Sequence, residues 1–158
     1  MKKRLLCLTL ALLALMTVCL ASCKKETPQP QFVPPAFDSN AVAGVPAIAE
    51  GENGYSVLDA RGVYKVGVCG VVKVVDKKVD VWFTSPAENT VWLKLRVQDK
   101  KTGKILGETG LIKPGEYVQS VTFSDFPEAG NAITLRVMSY EPETYYSRGE
   151  VTLNTTLS

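Results

Sequence analysis

Between Thr90 and Asp99 the chain reads TVWLKLRVQD, in which Val91, Leu93, Leu95 and Val97 alternate with Trp92, Lys94, Arg96 and Gln98. A period of two marks a strand with one face on a core and the other in water, because successive side chains leave an extended backbone on opposite sides. AITLRVMSY repeats the pattern, with Ile133, Leu135 and Val137 inward and Thr134 and Arg136 outward. KVDVWFTS sets Val79, Val81 and Phe83 against Asp80, Trp82 and Thr84, and EVTLNTTL puts Val151 and Leu153 on one face. GYSVL, VYKVGVCGVVKVV, KILGETG and EYVQSVTF add shorter or less regular strands. Between them lie DKKTG, KPGE, DFPEAGN and EPETYYSRG, rich in the residues that turns require. No segment after the first two dozen residues sustains a 3.6-residue period. The pattern predicts an all-β fold, an immunoglobulin-like antiparallel β-sandwich of about seven to eight strands over residues 47–158. That length suffices for a single core without disulfides.

The start of the chain follows a different pattern. Lys2, Lys3 and Arg4 precede a run from Leu5 to Ala21 without a charged residue. A basic head and a short apolar stretch form a secretory signal, and the run falls a little short of the roughly 20 residues that a membrane span needs. It ends in Leu20-Ala21-Ser22-Cys23. This segment resembles the lipobox of bacterial lipoproteins: an aliphatic residue, two small ones, then the cysteine. The resemblance implies a signal peptide over residues 1–22, cleavage before Cys23, and a thioether-linked diacylglycerol on the Cys23 thiol. The chain would then be lipid-anchored in the bacterial cell envelope, outside the cytoplasmic membrane. Two or three acyl chains hold stably where a single one is marginal.

Residues 23–46 carry five of the nine prolines, at positions 28, 30, 34, 35 and 46. Proline fixes φ and has no amide to donate, so this stretch reads as an extended tether. Phe32 and Phe37 are its candidates for docking on the domain.

Removing the signal alters the charge balance. Fifteen basic residues then face 16 acidic ones, a net charge of −1. No basic face points to nucleic acid. The chain contains no histidine, which removes the commonest general base and the commonest metal ligand together. Cys69, the one cysteine beyond the lipobox, sits in an apolar strand and reads as a small buried hydrophobe. Glu141, Glu143 and Glu150 flank one loop, but exposed loop acids are common and no catalytic pair follows from them. Lys65 or Lys73 with Asn154 has the chain order of an intramolecular isopeptide bond, yet Asn154 is out of phase with Val151 and Leu153. No cofactor or metal is expected.

Aromatic residues remain. Trp82 and Trp92 have the outward phase on their strands, and Tyr145 and Tyr146 crowd the last loop. These four are the candidate contacts for a ligand or partner, since aromatic side chains supply large, rigid contact area. From Val79 onward, VWLKLRVQDKKTGKILGETGLIKPGEYVQSVTF and NAITLRVMSYEPETYYSRGEVTLNTTL resemble a group of uncharacterised lipoproteins and secreted proteins, mainly of Gram-positive bacteria. That resemblance implies an immunoglobulin-like extracellular module and no activity. The expected function is a non-catalytic binding or interaction module on an envelope lipoprotein, its partners envelope proteins or glycans. A carbohydrate-binding lipoprotein using Trp82, Trp92, Tyr145 and Tyr146 is the alternative.

Overall fold

The computed structural model describes residues 32–128 and 130–158. The signal, the lipobox and Cys23 lie outside them. A compact unit runs from Pro34 to Ser158 and contains ten strands and no α-helix among its described residues. In chain order they are β1 (Val42–Ala43), β2 (Tyr55–Asp59), β3 (Lys65–Cys69), β4 (Lys73–Val75), β5 (Lys78–Ser85), β6 (Trp92–Asp99), β7 (Ile105–Glu108), β8 (Glu116–Thr122), β9 (Ala132–Tyr140) and β10 (Ser147–Thr156).

Two antiparallel sheets form an immunoglobulin-like sandwich. One has the order β1-β8-β5-β3-β2, with β4 added as a hairpin on β5; the other is β10-β9-β6-β7. The alternation seen in the sequence is the core. Val79, Val81 and Phe83 from one sheet and Leu93, Leu95, Val97, Ile133, Leu135 and Val137 from the other are fully buried in one cluster. Val151 and Leu153 pack half-buried against its flank. Buried polar groups are paired: Ser139 Oγ donates to Gly149 O at 2.9 Å, and the Leu95 amide donates to Thr109 Oγ1 at 2.9 Å.

Turn chemistry follows the residues. In Lys113-Pro114-Gly115-Glu116 the Glu116 amide donates to Lys113 O at 3.1 Å and Gly115 has φ 79°, a type II turn with proline and glycine where that type needs them. It lets Leu111 and Ile112, both fully buried, seal one end of the sandwich, where Ile112 exchanges backbone hydrogen bonds with Leu93. The β4–β5 hairpin turns on Asp76 and Lys77, both at positive φ (48° and 62°), as a two-residue turn matched to strand twist demands.

Ten strands form where seven to eight were expected, for two local reasons. The run VYKVGVCGVVKVV breaks at Gly70, because the amides of Gly70 and Val71 are taken by the carbonyls of Gly54 (3.1 Å) and Asn53 (2.9 Å). The other addition is β1, inside the segment read as tether. The compact unit begins at Pro34, so residues 34–46 belong to it and the boundary lies before residue 47. Prolines 34 and 35 stay out of the ladders, while Val42 and Ala43 pair with Tyr117 and Glu116 at the sheet edge.

Candidate functional site

Trp92 opens β6 on the outer face of its sheet and gathers two aromatic rings from distant parts of the chain. Phe37 meets it edge-on, with centroids 4.8 Å apart and planes at 75°; Tyr145 does so from the other chain end at 5.3 Å and 63°. Phe37 is held by a short parallel pairing with the sealing segment: the Asp38 amide donates to Leu111 O (2.8 Å), the Leu111 amide to Ala36 O (2.9 Å), and the Gly110 amide to Asp38 Oδ2 (2.7 Å). Lys113 Nζ lies 4.8 Å above the Phe37 ring, a cation–π contact. Tyr145 takes φ 59° in the β9–β10 turn, which closes through the Tyr145 amide on Glu141 O (3.0 Å) and the Glu141 amide on Tyr146 O (2.8 Å). Tyr146 stands 71% exposed beside it.

Trp82 belongs elsewhere. It lies on β5, in the opposite sheet, inside a β-bulge: Val81 and Trp82 together oppose Gln119, between the pairs Asp80–Ser120 and Phe83–Val118. Its φ of 46° is a left-handed conformation that a bulky side chain rarely adopts. The bulge lets Val118 and Val121 of β8, three residues apart, both face the core opposite Phe83 and Val79, and Trp82 stacks on Tyr117 at 5.9 Å and 24°. The four aromatic residues singled out from the sequence therefore do not share one surface. Trp92 and Tyr145 meet, Tyr146 adjoins Tyr145 in the chain, and Trp82 pairs with Tyr117. Sequence reasoning missed Tyr117 and Lys113, which only pairing register and turn geometry bring to these rings.

Some of the charged groups are engaged with each other. On the outer face of the second sheet Glu108 bonds Lys94 (2.7 Å) and Arg96 (2.9 Å), while Glu150 bonds Arg136 (2.6 Å). Burial alone would raise the Glu108 pKa, but the two cations outweigh it and hold the carboxyl below its usual range. Glu141 accepts a hydrogen bond from Thr144 Oγ1 at 3.0 Å, so Glu141 and Glu150 act as a turn contact and a strand contact. Lys65 pairs with Glu88 at 3.2 Å, and exposed Asn154 accepts from Thr134 Oγ1 at 3.1 Å. Each is engaged with another partner, and Lys73, the other candidate lysine, is exposed on β4.

Cys69 is buried at 1% exposure, on the β3 face that alternates with the core residues Val66 and Val68. Burial, helped by the Asp80 and Glu52 carboxylates and opposed by Lys73, pushes its thiol up to about 11 from 9.0. Its reaction with an aromatic disulfide reagent at neutral pH is expected to run on the order of a hundredfold slower than that of an exposed thiol, and to become fast in denaturant. Since the folded thiol ionises later than the unfolded one, its contribution to stability is intact below pH 9 and is lost as pH rises through about 11. Tyr64, whose pKa is raised chiefly by burial, acts in the same direction. Denaturation midpoints measured between pH 8 and 11 check this; a flat profile would contradict it.

Comparison with protein-family models, with curated proteins and with solved structures finds no match to the chain.

Proposed function

We propose that the chain is a cell-envelope lipoprotein presenting a β-sandwich as a non-catalytic binding or interaction module. The observation that carries this reading is the position of Leu20-Ala21-Ser22-Cys23, directly after an uncharged apolar run and only a short distance before the compact unit begins at Pro34. With Cys23 lipidated, the ten residues 24–33 link the anchor to the unit, and at a maximum of about 3.6 Å per residue they reach no more than about 36 Å. The module then works close to the membrane. Its contact chemistry is aromatic, with Tyr146 open to solvent next to the Trp92, Phe37 and Tyr145 cluster, the kind of side chain that dominates protein–protein hot spots.

A second reading, glycan binding, is favoured by one observation. The Trp82–Tyr117 stack is held in a strained bulge on an outer sheet face, where a sugar ring could lie against it. Metabolic labelling with a palmitate analogue tests the anchor: label is expected on the native chain and absent from Cys23→Ala. Label retained in that variant, or absent from both, rejects the lipoprotein reading. A glycan array then decides the ligand class, since a sugar signal that vanishes in Tyr117→Ala favours the second reading over a protein partner.

A further inference from the structure

The sandwich has unequal edges. At the ends of its sheets, β7 is four residues long, β2 five and β1 two, whereas β10 runs for ten. Long exposed edges present unpaired backbone donors and acceptors, and proteins usually protect them with bulges, charges or proline. The start of β10 has such protection: a register shift between Ser147 and Gly149, with Arg148 and Glu150 around it. Its last residues are covered too, since the Ser158 amide donates to Val72 O (2.9 Å) and the Val74 amide to Ser158 O (3.2 Å). The Thr155 hydroxyl donates to Gly70 O as part of the same cover, so the open stretch is Val151 to Asn154, which carries no charge, no proline and no bulge. Its inward side chains, Val151 and Leu153, are half-buried at the flank of the core.

We propose that β10 pairs antiparallel with β10 of a second copy of this chain, about a twofold axis through Thr152. The register follows from the side chains. With Thr152 opposite itself, Val151 faces the second copy's Leu153 and Leu153 its Val151, so the two half-covered core flanks close on each other. On the outer face Glu150 comes opposite the second copy's Asn154. Asn154 Oδ1 already accepts from Thr134, which leaves its amide hydrogens to donate, and Glu150 uses Oε2 for Arg136, which leaves Oε1 to accept. No like charges meet. A slip of one residue sets apolar against polar side chains, and a slip of two sets Leu153 against Gly149 or Val151 against Thr155. The four-stranded sheets join into one of eight strands, by an interface that uses the same patch on both copies.

Short-range cross-linking of the full-length chain in non-ionic detergent tests the register. Thr152→Cys treated with a short bis-maleimide is expected to give a covalent dimer well above the background set by the native cysteines. Gln98→Cys, on the same face but two strands inward, is expected to stay at background, because its two copies would lie about 24 Å apart at about 4.8 Å per strand. Thr152 is exposed, so Thr152→Lys leaves the fold intact while setting two ammonium groups against each other across the axis. Sedimentation should show its dimer weakened by about tenfold relative to the native chain, an effect that salt reduces. A native chain that sediments as a monomer at every concentration overturns the proposal. So does a dimer unaffected by Thr152→Lys, or a Thr152→Cys cross-link to some other protein.

Discussion

Truncating Phe83 to alanine is expected to lower the unfolding free energy by about 3–5 kcal/mol. Phe83 lies on β5, between β8 and β3, with no exposed surface, and its ring sits in the cluster to which both sheets contribute. Removing it loses the transfer free energy of the ring and leaves a cavity that two hydrogen-bonded sheets cannot collapse around. No disulfide supports the described fold, whose single cysteine, Cys69, is free. Against a typical total of about 5–15 kcal/mol, the loss should move the thermal midpoint down by on the order of 15 °C. Urea titration checks it, with the midpoint falling and the slope unchanged. A shift worth less than about 1 kcal/mol would mean that the ring does not carry the packing its burial implies.

Gly110→Ala is expected to detach the segment carrying Phe37. A methyl group at this position would meet the backbone of Phe37 and Asp38: it would be 2.6 Å from Asp38 Cα and 2.7 Å from the Phe37 carbonyl carbon, and closer still to the Asp38 amide nitrogen. These are main-chain atoms already held by hydrogen bonds to Gly110 and Leu111, so no side chain can swing aside to make room. Overpacking of this kind costs about 1–3 kcal/mol. The variant should therefore lose stability, and its tryptophan emission should move to the red as Phe37 leaves the edge of Trp92. Phe37→Ala should reproduce the emission change with a smaller loss of stability, since it removes the ring and keeps the backbone pairing. An unchanged spectrum in Gly110→Ala would show that residues 36–38 are not docked through Leu111.

The period-two runs in β5, β6 and β9 were sufficient for the core: every inward residue they named is buried. The turn around Pro114 and Gly115 was equally legible, because proline and glycine act through their own backbone restrictions. The binding surface was less so. Trp92 reads as an outward aromatic residue and Tyr145 as a residue of the last loop, but their contact depends on a chain reversal, and the contact with Phe37 depends on a parallel pairing some seventy residues distant in sequence.

Alternation along a strand is a local property, set by the geometry of the extended backbone, and so the amino-acid sequence decided which side chains face in, where the chain turns, and that the fold is a two-sheet all-β sandwich. Register, sheet order and edge exposure are long-range properties, settled by which strands meet and how the turns between them seat. Only the tertiary structure could separate Trp82 from Trp92 onto opposite sheets, bring Pro34–Pro46 into the domain, and leave β10 as the long open edge. Each of these depends on backbone hydrogen bonds between segments far apart in the chain, and residue type carries little information about such pairings.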